Sequence, residues 1–181
     1  MASTLTLSDI PSNENLSMQA APIVLRLFQP QDAEAFRALN EAWIRKHFGL
    51  EEHDREMLGD PEGYILRRGG QIIMAVAGDT AVGCCALIPI GPGVLEVAKM
   101  AVAEEYQGRG LGRRVLARTI EEGRAMGATK LYLETNSKLA NAIHLYESLG
   151  FRHLPSKQSP YVRANVFMEL PLTEPTTDSH G

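Results

Sequence analysis

The run Tyr106-Gln107-Gly108-Arg109-Gly110-Leu111-Gly112-Arg113 sets three glycines at alternate positions between an apolar stretch, Val94 to Val102, and an amphipathic one. Glycine lets a backbone approach a ligand closely and adopt positive φ. A helix start adds unpaired N–H groups and the positive end of the helix dipole. Such a turn forms an anion cradle suited to phosphates, to which Arg109, Arg113 and Arg114 could add charge-assisted contacts. A tight strand-to-helix turn with solvated arginines would use the same residues. Two phosphate-binding patterns fail here. The dinucleotide pattern Gly-x-Gly-x-x-Gly meets Arg113 when started at Gly108 and Val115 when started at Gly110. The Gly-Lys-Ser/Thr of nucleotide hydrolases is absent from the turn.

Outward from the turn, helix and strand signals alternate. Downstream, Leu111, Val115, Leu116 and Ile120 predict a helix from about Leu111 to Met126, with Gly127 as its stop. Lys130 to Thr135 reads as a strand and Leu139 to Leu149 as a helix ended by Gly150. Phe151 to Leu154 and Asn165 to Leu170 read as closing strands. Upstream, Ile23 to Leu27 is a first strand, and Pro30 and Asp32 open a helix with Phe36, Leu39 and Trp43 at helical spacing. His47 to Pro61 is acidic, a short helix or a loop. Tyr64 to Leu66, Gln71 to Ala77 and Val82 to Pro89 read as consecutive strands of an antiparallel meander, turned at Gly69-Gly70 and Gly78-Asp79. The expected fold class is α/β in the α+β sense: a mixed, mostly antiparallel sheet flanked by helices.

The 181 residues suit one domain, placed at 22–172 between tails 1–21 and 173–181 rich in polar residues and expected to be flexible. A net charge of −4 gives no support to a nucleic-acid binder. Cys84 and Cys85 are neighbours in a strand-like run, so their side chains point to opposite faces and neither a disulfide nor a zinc site is expected. No secretory signal and no membrane-length apolar run is read, so the expected setting is the cytoplasm, with no membrane partner.

Gln107-Gly108-Arg109-Gly110-Leu111-Gly112 resembles the Gln/Arg-x-x-Gly-x-Gly/Ala signature of the GNAT superfamily of N-acetyltransferases. Glu96 to Val102 resembles the strand before that signature, and Leu131 to Asn136 the strand after it. Asn141 to Phe151 looks like the family's final helix, with its Tyr and its Gly-Phe ending. The likeness is close from Val94 to Phe151 and looser from Ile23 to Leu170. It implies the GNAT-type acyl-CoA N-acyltransferase fold and acetyl-CoA as co-substrate. The pyrophosphate would lie on Gln107, Gly108, Arg109, Gly110, Leu111, Gly112 and Arg113, and the pantetheine arm beside Met100, Ala101 and Val102. Asn136 and Asn141 would make polar contacts to the arm, or Asn141 would cap the helix.

Direct transfer to a primary amine needs a base, a polarised carbonyl and a protonated leaving thiolate. The resemblance assigns the general acid to Tyr146 and an oxyanion donor to a backbone N–H near Val102. Glu96 matches an acidic position of the family strand and is the expected base, with Glu134 as runner-up. The group Glu51, Glu52, Asp54, His47 and His53 would be a solvated loop, an acceptor contact or, against its spacing, a metal site. His144 is expected on the surface or in packing. Ser159-Pro160-Tyr161 would reach the acceptor or form a turn. The acceptor is open among small metabolites, amino acids, polyamines and protein amines. A homodimer is compatible with the family, though no residue shows it. The alternative is a non-catalytic CoA-binding sensor.

Overall fold

The computed structural model describes residues 21–172. Its sheet has seven strands in the order β1-β2-β3-β4-β5-β7-β6. Strands β1 (Ile23–Leu27), β2 (Gln71–Ala77), β3 (Thr80–Gly91) and β4 (Val94–Val102) form the antiparallel meander. Strand β5 (Lys130–Thr135) pairs parallel to β4, and β7 (Val166–Pro171) lies antiparallel between β5 and β6 (Arg152–Leu154). The mixed, mostly antiparallel sheet read from the sequence is therefore present.

Helices cover both faces. On one side α1 (Ala33–His47), α2 (Glu52–Gly59) and α3 (Pro61–Tyr64) pack over Ile72, Met74, Cys84 and Ala86. On the other, α4 (Leu111–Ala125) and α5 (Ala140–Ser148) pack over Ala75, Cys85, Leu87, Leu95 and Val97. The two cysteines thus enter different layers, as strand alternation requires.

One segment departs from the sequence reading. Tyr64 to Leu66 is not a strand: Tyr64 ends α3, and a 3-10 turn runs from Leu66 to Arg68. Pro61 occupies the first turn of α3, and the Asp60 carboxylate accepts from the Gly63 N–H at 2.9 Å. These start signals outweigh the β preference of Tyr and Ile. Gly69, at φ +86°, ends the 3-10 turn rather than joining two strands. The acidic segment before it resolves as α2, entered through a capping box of Glu51 and Asp54.

Two irregularities in β4 build the site. Its pairing with β5 lasts only from Val94 to Glu96, against Lys130 to Tyr132. Beyond Glu96 the strands separate while β5 continues against β7. The second is a bulge. Ala98 pairs with Ala86 and Ala101 with Cys84, so Lys99 and Met100 together face Cys85. Lys99 sits at φ +52°, alone among the described non-glycine residues in being positive, a conformation costing roughly 1–2 kcal/mol. The extra residue reverses the alternation. Leu95 and Val97 belong to the α4 side, but Ala101 belongs to the α1 side.

Candidate active site

The separation of β4 from β5 opens a cavity of about 110 Å³ on the α1 side. Glu96 enters it from β4, Glu134 from β5, and Tyr146 from α5. Trp43 and Phe48 line it from the end of α1, and Tyr161 and Arg163 from the loop before β7.

No described residue hydrogen-bonds to the Glu96 carboxyl. Burial, then the charge of Glu134, push it up to about 7 against the opposing pull of Lys99 and Lys157. Glu134 is held by neutral donors: the Tyr132 hydroxyl at 3.0 Å and the Ser159 hydroxyl. The runner-up base is thus already hydrogen-bonded, and Glu96 is not.

Tyr146 lines this cavity and also a second groove of about 370 Å³, so it stands where the two meet. Burial raises its phenol well above the ordinary value, which keeps the proton on. Its ring packs edge-on to Phe151 at 5.9 Å. Its hydroxyl bonds to no described residue, yet no described side-chain polar atom is both sealed and unbonded. The hydroxyl therefore retains access to open space.

A charged wall, unforeseen in the sequence, supports the cavity. Asp54 is fully buried and accepts from Lys99 Nζ at 2.6 Å and from both Arg163 Nη atoms at 2.7 and 2.8 Å. Burial pushes its carboxyl up, but the bonds from Arg163 and Lys99 and the Lys99 charge outweigh this and hold it well below the usual carboxylate range. Lys99 Nζ also donates to the Tyr161 hydroxyl at 2.9 Å, and Glu51 lies 3.3 Å from Arg163. The bulge explains how Lys99 arrives, since it puts Ala98 and Lys99 on the same side. A lysine inside the apolar run Val94–Val102 was the available signal.

The second groove runs between the free end of β4 and the start of α5, with Met100, Ala101, Val102, Gln107 and Asn141 among its walls. The glycine turn lies at its end. Gly108 and Gly110 hold φ of +72° and +78°, and a Cβ on either would meet only open space. Gly112 differs: it faces the core, where a Cβ would make ordinary contact with Met100 Cε at 3.5 Å and Leu145 at 3.8 Å. The first intrahelical bond is from the Arg114 N–H to Gly110, and no side chain caps the helix. The preceding amides are left for a ligand or solvent.

Among the other expected contacts, the Gln107 side chain donates to the Val102 carbonyl at 2.9 Å and ties the turn to β4. Arg113 donates to Ser148 at 2.8 Å, joining α4 to α5. Arg109 lies 5.8 Å over the Tyr106 ring. Asn136 is spent internally, donating to the Arg163 carbonyl at 2.6 Å and accepting from the Lys138 N–H at 2.8 Å. Asn141 follows the first residue of α5, whose N-cap is Leu139, so it does not cap the helix. The acidic group divides. Glu51 and Asp54 join the wall, Glu52 pairs outside with Arg55 at 3.6 Å, and His53 lies 5.1 Å from the Tyr161 ring. His47 stacks on Trp43 at 4.9 Å, and His144 is exposed.

Residues 33–151 match the model of the Acetyltransferase (GNAT) family. The chain belongs to this family. As a GNAT acetyltransferase it is an acyltransferase enzyme. It is 30% identical over 166 residues to an uncharacterized N-acetyltransferase of Schizosaccharomyces pombe, a match covering 84% of this chain and 96% of that one. A GNAT-family acetyltransferase structure from Staphylococcus aureus superposes with TM-score 0.75 at 22% identity, covering 84% of this chain and 100% of that one. A putative acetyltransferase from Salmonella typhimurium, solved with its cofactor acetyl-CoA, gives TM-score 0.68 at 23% identity over 89% of this chain and 100% of that one. In this GNAT acetyltransferase the family match takes in Glu96, the glycine turn and Tyr146, while Tyr161 and Arg163 lie beyond it.

Proposed function

We propose that this enzyme moves an acetyl group from acetyl-CoA directly to a primary amine, with Glu96 as general base and Tyr146 as general acid. One observation carries the reading: an unbonded carboxyl poised near 7 and an unbonded phenol line one cavity, and the phenol also borders the groove leading to the glycine turn.

The groove suits acetyl-CoA. The free first-turn amides and the open space over Gly108 and Gly110 would receive its diphosphate. The edge of β4 that β5 leaves unpaired, at Met100 to Val102, would receive the amide-bearing arm. Gln107, Arg113 and Asn136 act by holding that frame, and Asn141 is free to contact the arm. Acetyl-CoA supplies the acyl group as a reactive thioester.

Amines of ordinary basicity arrive protonated at neutral pH. Glu96 takes one proton from the ammonium, and the nitrogen then forms the new C–N bond as the C–S bond breaks. Tyr146 gives its proton to the departing sulfur, and the second proton shed by the acylated nitrogen restores the phenol. A base near 7 balances ionisation against basicity, and Tyr146 remains a donor because its phenol is raised. The free, buried Cys84 and Cys85 accord with a reducing compartment, and we assign the enzyme to the cytoplasm.

The test is an amine panel with acetyl-CoA, followed by thiol release and product mass. Thiol release with an acetylated product is expected. Acetyl-CoA binding without transfer to any amine would favour the sensor instead.

A further inference from the structure

The charges around the cavity divide into two groups. Lys99 and Arg163 are matched by Asp54 and Glu51, two cations against two carboxylates, with Asp54 paired to both cations and Glu51 to Arg163. This wall is self-neutral, and its cations are committed: the side chains of Lys99 and Arg163 are 4% and 18% exposed. Glu96 and Glu134 stand outside it and form no ion pair with a described residue. Lys157, the remaining cation near Glu96, holds its ammonium 3.8 Å over the Tyr132 ring. The other walls, from Trp43, Ile44, Phe48, Met100 and Leu139, are mainly apolar.

We infer that the acceptor is a small primary amine on an apolar body, with no carboxylate beside the amine, and that Glu134 holds its ammonium while Glu96 takes the proton. This rests on the acetyl-transfer reading and narrows it. Glu96 and Glu134 line the same cavity, so a group on the carbon next to a nitrogen held between them faces both glutamates. A carboxylate there would meet like charge, and both cations that line the cavity, Lys99 and Arg163, are already paired. A neutral chain or ring meets the apolar walls. Glu134, bonded only by the Tyr132 and Ser159 hydroxyls, has no cationic partner among the described residues.

Matched pairs test this: 2-phenylethylamine against phenylalanine, and tyramine against tyrosine, each with acetyl-CoA at saturation. The amine is expected to exceed its amino acid at least tenfold in kcat/KM. Glu134→Gln is expected to raise KM for the amine about tenfold with a smaller change in kcat. It should also move the acidic limb of the kcat/KM profile to lower pH, since Glu134 no longer opposes ionisation of Glu96. Lys99, Lys157, Tyr132 and Tyr161, the other ionisable groups around Glu96, are unchanged in that variant. Equal or better use of the amino acids overturns the inference and leaves acetyl transfer standing, as does a Glu134→Gln enzyme with unmoved KM and unmoved limb. Transfer to neither member of any pair removes this acceptor class, and failure across the whole amine panel removes the acetyl-transfer reading as well.

Discussion

The glycine turn and the cavity wall are built on opposite plans. The turn spans seven consecutive residues, Gln107 to Arg113, and offers mainly backbone: free amides and two left-handed glycines open to space. The wall is assembled from side chains far apart in the chain. Asp54 is 45 residues from Lys99 and 109 from Arg163. A backbone site survives many side-chain changes but not a change of conformation. A wall of buried charges survives conformational adjustment poorly and the loss of one partner worse.

The largest expected break is Asp54→Ala. It leaves the buried Lys99 ammonium without a carboxylate and Arg163 with Glu51 alone, and should cost about 3–5 kcal/mol in denaturant unfolding. Acid titration of the wild-type protein probes the same group. A depressed carboxyl contributes stability that is complete above its unfolded value, about 3.9, and is lost as pH falls toward its folded value. Unfolding should therefore steepen below about pH 4, and Asp54→Ala should lose that part of the slope.

Next come the two proposed proton-transfer groups, where the regions meet. Tyr146→Phe should lower kcat about a hundredfold with unfolding free energy nearly unchanged, since the hydroxyl has no protein partner to lose. Glu96→Gln should lower kcat/KM by a similar factor and remove the acidic limb near pH 7, above which the wild-type base is ionised. A retained limb would pass the role to another group.

The smallest effect belongs to the turn. Gly110→Ala places a side chain at φ +78° and should cost roughly 1–2 kcal/mol of stability, with KM for acetyl-CoA rising and KM for the amine unmoved. A rise in amine KM alone would erase the contrast between the regions.

The same contrast explains what was legible in the sequence. The turn, both helices after it and most strands were readable because each is local: glycine spacing, a 3.6-residue stripe, a period of two. Tyr64-Ile65-Leu66 reads as a strand by its β-prone composition, but Asp60 and Pro61 start a helix just before it. The wall was not legible. Asp54 reads as one acid of an acidic segment, and only the fold brings Lys99 and Arg163 to it. The bulge is equally silent, since Val94 to Val102 looks like one continuous apolar strand. Glu96 and Tyr146 were named through a family likeness, and their pairing across one cavity is a property of three dimensions.

The position of β7 has a consequence for how the protein is made. It is the last strand in the sequence to join the sheet, yet it lies inside it and is β6's hydrogen-bonded neighbour. The segment carrying Tyr161 and Arg163 leads directly into it. During synthesis the glycine turn and its helix emerge well before the cavity wall has its last two members. A nascent chain ending ahead of Tyr161 holds the Asp54–Lys99 pair without the tyrosine and the arginine that also bond to it, so the order of emergence delays the cavity wall until the last strand is about to follow.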